Sequence, residues 1–167
     1  EGIVDALSPI KVPGKLERAD KQFKDYWNHD TLHLTVTGAL AKSSNIGMIL
    51  LAEQMSKETL DLYFEKFGLQ QDTGLELPAE SKGLMQPPEQ WYGTIPFTLA
   101  FGQGYSATSV QMTSVFATIA NQGIRVEPSI VKAIVEADGT VVDTPDAERS
   151  RVVREDTARQ VMAMMEY

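Results

Sequence analysis

The sequence contains no cysteine among its 167 residues. Disulfides, thiolate metal sites and cysteine nucleophiles are therefore excluded together. A surplus of basic residues is also lacking, because 15 Lys and Arg stand against 23 Asp and Glu, giving a formal net charge of −8. We expect no nucleic-acid partner and no polybasic membrane-surface patch, since phosphate contacts need clustered Lys and Arg.

Long apolar runs are absent as well. No stretch reaches the roughly 18 residues that a membrane-spanning helix needs, and the first segment, EGIVDALSPIKV, lacks the basic and apolar regions of a signal peptide. The content of 43% hydrophobic and 23% charged residues is typical of a globular protein, in a chain long enough for one domain. The first residue is Glu, and the last segment, DTARQVMAMMEY, stops inside a helical pattern without a cap. We therefore expect a piece of a longer protein.

Local signals predict mainly helices. Residues 1–30 combine prolines and glycine with many charges and predict loops with one short strand near Ile10–Val12. Residues 69–97 are rich in proline and glycine and predict a long connection with little regular structure. Periodicity and capping signals predict helices over 35–55 (interrupted at 43–45, with Ser44 or Asn45 as the second N-cap), 56–67 (capped by Ser56 and closed by Gly68), 108–123 (capped by Thr108 or Ser109) and 156–167. Asp138-Gly139 lies in an alternating segment and predicts a β-hairpin near residues 130–143.

Two short motifs suggest chemistry but have simpler interpretations. His29 and His33 flank Asp30 at the i, i+4 spacing of a helical zinc site. They precede the predicted helix and no third ligand is evident, so ordinary loop histidines are favoured. Ser8 and Lys11 have the Ser-x-x-Lys spacing of an activated serine, but the proline and glycine that follow leave no room for the helix this chemistry requires. A chance match is the favoured interpretation.

Ser43-Ser44-Asn45 is more informative, because it interrupts an almost uncharged helical segment. All three residue types compete for backbone hydrogen bonds and weaken a helix interior. A polar turn between two helices would explain them. A turn buried on both sides would also present a hydroxyl that can pass a proton and a carboxamide that can bind a peptide bond.

The segment LTVTGALAKSSNIGMILLAEQM resembles the second active-site motif of penicillin-binding proteins, Ser-x-Asn, with its flanking helices. The later segment TLAFGQGYSATSVQMTSVFATIANQGIRVEPSIV resembles the region preceding the third motif of the same family, and YFEKFGLQQDTGLELPAES between them fits the same pattern. The resemblance covers residues 30–136 and is nearest to the class B enzymes, the monofunctional transpeptidases of wall synthesis. It implies an α+β fold, of which this chain would be the mostly helical middle portion, in a penicillin-binding-protein or serine β-lactamase-like domain.

The resemblance also implies residue roles. Ser43 would relay a proton to the leaving nitrogen, and Asn45 would hydrogen-bond the substrate amide and the catalytic lysine. Ser44 would occupy the variable middle position of the Ser-x-Asn motif. We expect the substrate-binding residues to be Ser44, Gly102, Gln103, Gly104 and Tyr105. The implied substrate is the D-Ala-D-Ala stem peptide of peptidoglycan, with β-lactams as mimics and cell-division or wall-synthesis proteins as partners. No metal or organic cofactor is expected.

The chain departs from the family pattern in carrying one motif of three. The family's nucleophile motif, Ser-x-x-Lys, would lie upstream of EGIVD, and its Lys-Thr/Ser-Gly strand would follow Tyr167. We therefore expect residues 1–167 to be part of a transpeptidase domain, inactive alone, whose parent is anchored in the bacterial membrane with its domain outside and acts in septal synthesis. The alternatives are a serine β-lactamase or β-lactam sensor and a non-catalytic docking scaffold of the same fold.

Overall fold

A computed structural model describes residues 2–75, 78–142 and 147–167. Within these ranges, four short strands come first, then most of the helices, then four more strands and a final helix, and the fold is α+β, as predicted. The helices are α1 (Val36–Ala41), α2 (Asn45–Ala52), α3 (Lys57–Lys66), α4 (Ile95–Leu99), α5 (Ser109–Ala120) and α6 (Glu155–Met164), with a 3₁₀ turn at Pro88–Gln90. The strands pair antiparallel in twos: β1 (Pro9–Val12) with β4 (Leu32–Thr35), β2 (Leu16–Arg18) with β3 (Lys21–Phe23), β5 (Ile124–Val126) with β8 (Arg149–Arg151), and β6 (Ile134–Val135) with β7 (Val141–Val142).

One apolar cluster lies beneath the junction of α1 and α2. Val12 of β1 and the α2 residues Ile46 and Ile49 are fully buried in it. Phe23 of β3 joins them and meets the ring of Phe101 edge-on at 6.1 Å. Burial of such side chains contributes about 1.5–3 kcal/mol each, so this cluster fixes the start of α2 against β1 and β3.

A second cluster joins the last helix to α5. Ile119 of α5, Val152 and Val153 after β8, and Ala158 of α6 are buried together. The pairing of β5 with β8 brings residues 149–153 back beside the end of α5. Among the described residues, no helix is long and apolar enough to cross a membrane.

The predicted helices are confirmed because their signals are local. Ser44 caps α2, Ser56 caps α3, and Thr108 forms a capping box with Gln111 at the start of α5. Gly68 follows the end of α3 at a φ of +88°. The last helix is shorter than predicted, ending at Met164.

The strand predictions were less successful. The hairpin around Asp138-Gly139 is confirmed by the pairing of β6 with β7, while residue 143 of the predicted span lies outside the described residues. The prediction of one strand in residues 1–30 was wrong, since β2 and β3 also form there, and β4, β5 and β8 were not predicted. The connection over 69–97 also contains the 3₁₀ turn and the start of α4. Strands of three or four residues depend on partners far along the chain, which local patterns do not reveal.

Candidate active site

The turn between α1 and α2 holds the Ser-Ser-Asn segment. The N–H of Ser43 donates to the carbonyl of Leu40 at 2.8 Å, and the N–H of Ser44 donates to the carbonyl of Ala39 at 3.0 Å. This pair of hydrogen bonds is the Schellman motif, which places its C′ residue in the left-handed region. Ser43 takes that position with a φ of +50°, where glycine is usually found, and its side chain is exposed.

Ser44 begins the second helix from inside the protein. Its side chain is fully buried, its Oγ accepts from the N–H of Gly47 at 2.9 Å, and the same hydroxyl donates to Oδ2 of Asp25 at 2.7 Å. The hydroxyl therefore has both an internal donor and an internal acceptor. This arrangement does not support the expected substrate-binding role of Ser44.

Asp25 connects three separate groups. Besides Ser44, its carboxylate accepts from the backbone N–H of Ile46 at 2.9 Å and from Nε2 of His29 at 3.0 Å. Its side chain has no exposed surface. A carboxylate is an acceptor only, and here each oxygen is used within the protein.

Asn45 is the first residue of α2 and faces the loop after β3. Its Nδ2 donates to the backbone carbonyl of Lys24 at 3.2 Å. Within the described part of the chain, Oδ1 of Asn45 has no hydrogen-bond donor. One end of the carboxamide is thus held by the protein, while the other can accept a hydrogen bond from a ligand.

A depression of about 140 Å³ lies at this turn and is lined by Leu40, Ser43, Ser44, Asn45, Met48 and Phe101. Ligand-binding pockets usually enclose about 300–1,000 Å³. The depression formed by the described residues is therefore too small to enclose a peptide by itself.

The segment Gly102–Tyr105 forms a turn after α4, beside this wall. Gly102 and Gly104 have left-handed φ angles of +83° and +86°, and Gln103 is exposed. The ring of Tyr105 lies 5.9 Å from that of Phe64. The adjacent Phe101 lines the depression and these four residues do not, so their role in substrate binding stays a prediction.

The structure separates the two histidines. His33 is exposed in β4, opposite Lys11, whereas the side chain of His29 is only 6% exposed and is bonded to Asp25. The expectation of two loop histidines is confirmed for His29, which lies between β3 and β4, and was wrong for His33, which lies in a strand. In residues 2–75, 78–142 and 147–167, no group of three metal-ligating side chains forms.

The Ser8–Lys11 spacing does not fall on a helix. Lys11 lies in β1, and Oγ of Ser8 accepts from the backbone N–H of Asp5 at 3.0 Å. Ser8 directly precedes that strand, so the two residues are not one helical turn apart, as a lysine that activates a serine in this motif must be.

Asp25 and Phe101 were not among the predicted site residues, and His29 was considered only as a metal ligand. Asp25 lies in a charged stretch, KQFKDYWNHD, that has no helical or strand periodicity. The Asp-x-x-x-His spacing was its only available signal, and this spacing is common in acidic chains.

Comparison with known proteins places this geometry in a family. Residues 1–167 match the penicillin binding protein transpeptidase domain. PbpB of Mycolicibacterium smegmatis is 39% identical over 163 residues, which cover 98% of this chain. The peptidoglycan D,D-transpeptidase FtsI of Escherichia coli K12 is 38% identical over 133 residues, which cover 80% of this chain.

Solved structures of penicillin-binding proteins have a similar fold. Penicillin binding protein 3 of Mycobacterium tuberculosis, in complex with aztreonam, is similar with a TM-score of 0.94 and 39% identity over 98% of this chain and 36% of that one. The chain spans 25% of the length of the PbpB relative and 21% of FtsI. From the family match over its whole length, the chain belongs to the transpeptidase domain family of penicillin-binding proteins.

Proposed function

We propose that this chain is part of a D,D-transpeptidase that cross-links peptidoglycan stem peptides through an acyl-serine intermediate in septal wall synthesis. The observation that carries the proposal is the Ser43–Asn45 turn, which combines an exposed hydroxyl with a carboxamide held at one end only. The similarity to FtsI, named a peptidoglycan D,D-transpeptidase, supports the reaction type.

The proposed reaction has two acyl transfers. A serine outside residues 1–167 attacks the carbonyl carbon between the two D-alanines, the C–N bond breaks, and the terminal D-alanine leaves as an amine that takes up a proton. The amine of a neighbouring peptide then attacks the ester and releases the serine. Ser43 passes the proton to the leaving nitrogen, and general acid catalysis of this kind contributes a factor of about 10²–10⁴.

Asn45 orients the reacting peptide. Because its Nδ2 is engaged by Lys24, its Oδ1 accepts from the amide N–H of the substrate or from the catalytic lysine. Gly102, Gln103, Gly104 and Tyr105 form the rim of the cleft beyond Phe101. The chemistry needs no metal or organic cofactor, since serine, lysine and backbone donors supply every step.

The ligands and location follow from this substrate. The stem peptide ends in D-Ala-D-Ala, and β-lactams mimic it; crystal structures of the M. tuberculosis relative contain aztreonam and ampicillin. The assignment to the septum rests on the resemblance of residues 101–105 and the following helix to septal enzymes, and it implies cell-division proteins as partners. We place the domain on the extracytoplasmic side of the bacterial membrane, where peptidoglycan lies, with an anchor outside this chain.

The test is to expose the full-length protein to benzylpenicillin, measure its intact mass and map the adduct. A stable penicilloyl group on a serine upstream of residue 1 is expected. An adduct on Ser8 or Ser43 would show that the nucleophile is misassigned. Rapid loss of the adduct would favour a β-lactamase, and no adduct would favour the docking scaffold.

The role of Ser43 gives a quantitative prediction. Ser43→Ala should slow acylation of the full-length protein about 10²–10⁴-fold, because the proton relay is removed. Ser109→Ala, at an exposed position in α5, is the matched control and should leave the rate unchanged. Equal rates for the two variants would remove Ser43 from the reaction.

A further inference from the structure

We propose that Asp25 and His29 are positioning residues, a buried pair that holds the Ser43–Asn45 turn in its reactive geometry. The inference rests on the proposed function of that turn. Neither side chain lines the depression beside Ser43, so both would act through the residues they bind.

The loop after β3 accepts hydrogen bonds from three consecutive residues, 44–46, at the turn and the start of α2. The carbonyl of Lys24 accepts from the side chain of Asn45, and the carboxylate of Asp25 accepts from the hydroxyl of Ser44 and from the N–H of Ile46. These bonds join residues 19–21 positions apart. They therefore fix the turn to a different part of the fold.

Asp25 also completes the start of α2. The first N–H groups of a helix have no partner within the helix. Here the hydroxyl of Ser44 accepts a hydrogen bond from the N–H of Gly47, and the carboxylate of Asp25 accepts one from the N–H of Ile46. A negative carboxylate at this end interacts favourably with the helix dipole, so the helix and the turn share one anchor.

His29 stabilises the buried carboxylate of Asp25 by a hydrogen bond. Its Nδ1 contacts the carbonyl of Asp30, which only accepts, so Nδ1 carries a hydrogen. Its Nε2 donates to Oδ2 of Asp25 at 3.0 Å. The buried carboxylate therefore has a hydrogen-bond partner on this side, which offsets part of the large desolvation penalty of an isolated one.

The pair is covered on its outer side. The ring of Trp27 lies 5.5 Å from that of His29, and Nζ of Lys42 lies 5.9 Å from the centre of the Trp27 ring. Lys42 directly precedes Ser43 in the chain. The turn is therefore connected to Asp25 a second time, through the contacts of Lys42 with Trp27, of Trp27 with His29 and of His29 with Asp25.

The need for such an anchor comes from Ser43. A residue with a β-carbon is disfavoured in the left-handed region, and such strain persists only where the surroundings impose it. Without Asp25, the hydroxyl of Ser44 and the N–H of Ile46 would lose their buried acceptor. The turn could then relax to reach water, which would displace the hydroxyl of Ser43 and the carboxamide of Asn45.

Asp25→Asn in the full-length protein tests the inference, because it keeps the shape but replaces one acceptor oxygen by a donor. With a fluorescent penicillin, we expect the limiting acylation rate to fall on the order of 10²-fold, as a misplacement of about 1 Å can cause. The half-saturating concentration should change little, because the pair does not touch the ligand. Val152→Ala, in the separate cluster at α5 and α6, lowers stability without reaching the turn and should leave the rate unchanged.

His29 provides a matched pair of variants. Glutamine can place an amide donor near the position of Nε2, whereas leucine cannot donate. We therefore expect His29→Gln to retain most of the acylation rate and His29→Leu to lose it as Asp25→Asn does. This difference is specific to the hydrogen bond, since both replacements fill the site.

The outcomes separate the two proposals. If the wild-type protein is not acylated, the proposed function fails. If the wild type is acylated and folded Asp25→Asn reacts equally fast, the positioning role is wrong. Where Asp25→Asn does not fold, the two His29 variants decide, and equal acylation rates for them would overturn the inference.

Discussion

The turns that follow α1 and α4 both lie near the depression beside Ser43, and they are built differently. The turn after α1 places Ser43 at a φ of +50° and follows it with the fully buried Ser44. The turn after α4 uses Gly102 and Gly104, at +83° and +86°, and both are exposed. The first turn carries a side chain at a position where the backbone disfavours one, whereas the second has glycine at each such position.

The anchoring differs in the same way. The turn after α4 is closed by local backbone bonds, such as the 2.9 Å bond from the N–H of Gln103 to the carbonyl of Thr98. The turn after α1 is also fixed by Asp25, from another part of the chain. The difference suggests that a strained serine is kept where its hydroxyl is needed, and that distant buried partners hold it there.

The largest effect is expected from giving the second turn a β-carbon. In Gly104→Ala, the added atom would lie 3.1 Å from Oγ1 of Thr98 at a positive φ, so we expect a loss of stability of about 1–3 kcal/mol. Gly102→Ala is the control, because its φ is also positive but its β-carbon meets nothing within 4 Å. Thermal or denaturant unfolding should show the greater loss for Gly104→Ala, and equal losses would mean that the contact with Thr98 is unimportant.

The reverse change at the first turn should have a smaller effect. Ser43→Gly removes the β-carbon from the left-handed position, and we expect it to be more stable than Ser43→Ala by about 1 kcal/mol. Both variants lack the hydroxyl, so both should acylate slowly. A Ser43→Gly protein no more stable than Ser43→Ala would show that the turn stores no backbone strain.

The smallest effect concerns a third turn, Asp138-Gly139 in the β6–β7 hairpin, which is exposed and held locally. The N–H of Thr140 donates to Oδ1 of Asp138 at 2.8 Å and lowers the pKa of that carboxyl below its ordinary value of 3.8. A lowered pKa means that the ionised form favours the folded hairpin. Its contribution is therefore present above the unfolded pKa and is lost as the pH falls through the folded one.

An NMR titration of the Thr140 amide proton measures this directly. The midpoint should lie below 3.8, and the Asp138→Asn variant should show no such step. A midpoint at or above the ordinary value would mean that the carboxylate is not bonded in solution.

Sequence patterns were reliable where the signal is local. Ser56 was predicted as the cap of α3, and the caps of α2 and α5 are each one of the two residues predicted for them, because a cap satisfies backbone groups within three positions. The Asp138-Gly139 turn was found for the same reason. The Ser43–Asn45 segment was recognised because polar residues interrupt an apolar run.

The rest of the candidate site could not be predicted in this way. Phe101 was passed over in favour of the four residues that follow it, because only packing against Phe23 brings its ring to the depression. Residues 69–97 likewise gave no signal for the turn that places Trp91 in the interior.

The sequence by itself determined the approximate positions of the described helices other than α4, that the fold is α+β, and which three residues stand at the polar turn. Caps, periodicity and turn residues act over three or four positions, and so they are visible in a single sequence. Only the tertiary structure decided that β1 pairs with β4, that Ser44 faces inward, and that Asp25 and His29 lie behind it. Apart from the bond between Asp25 and His29, which are four residues apart, those contacts join residues far apart in the chain, so no local sequence pattern predicts them.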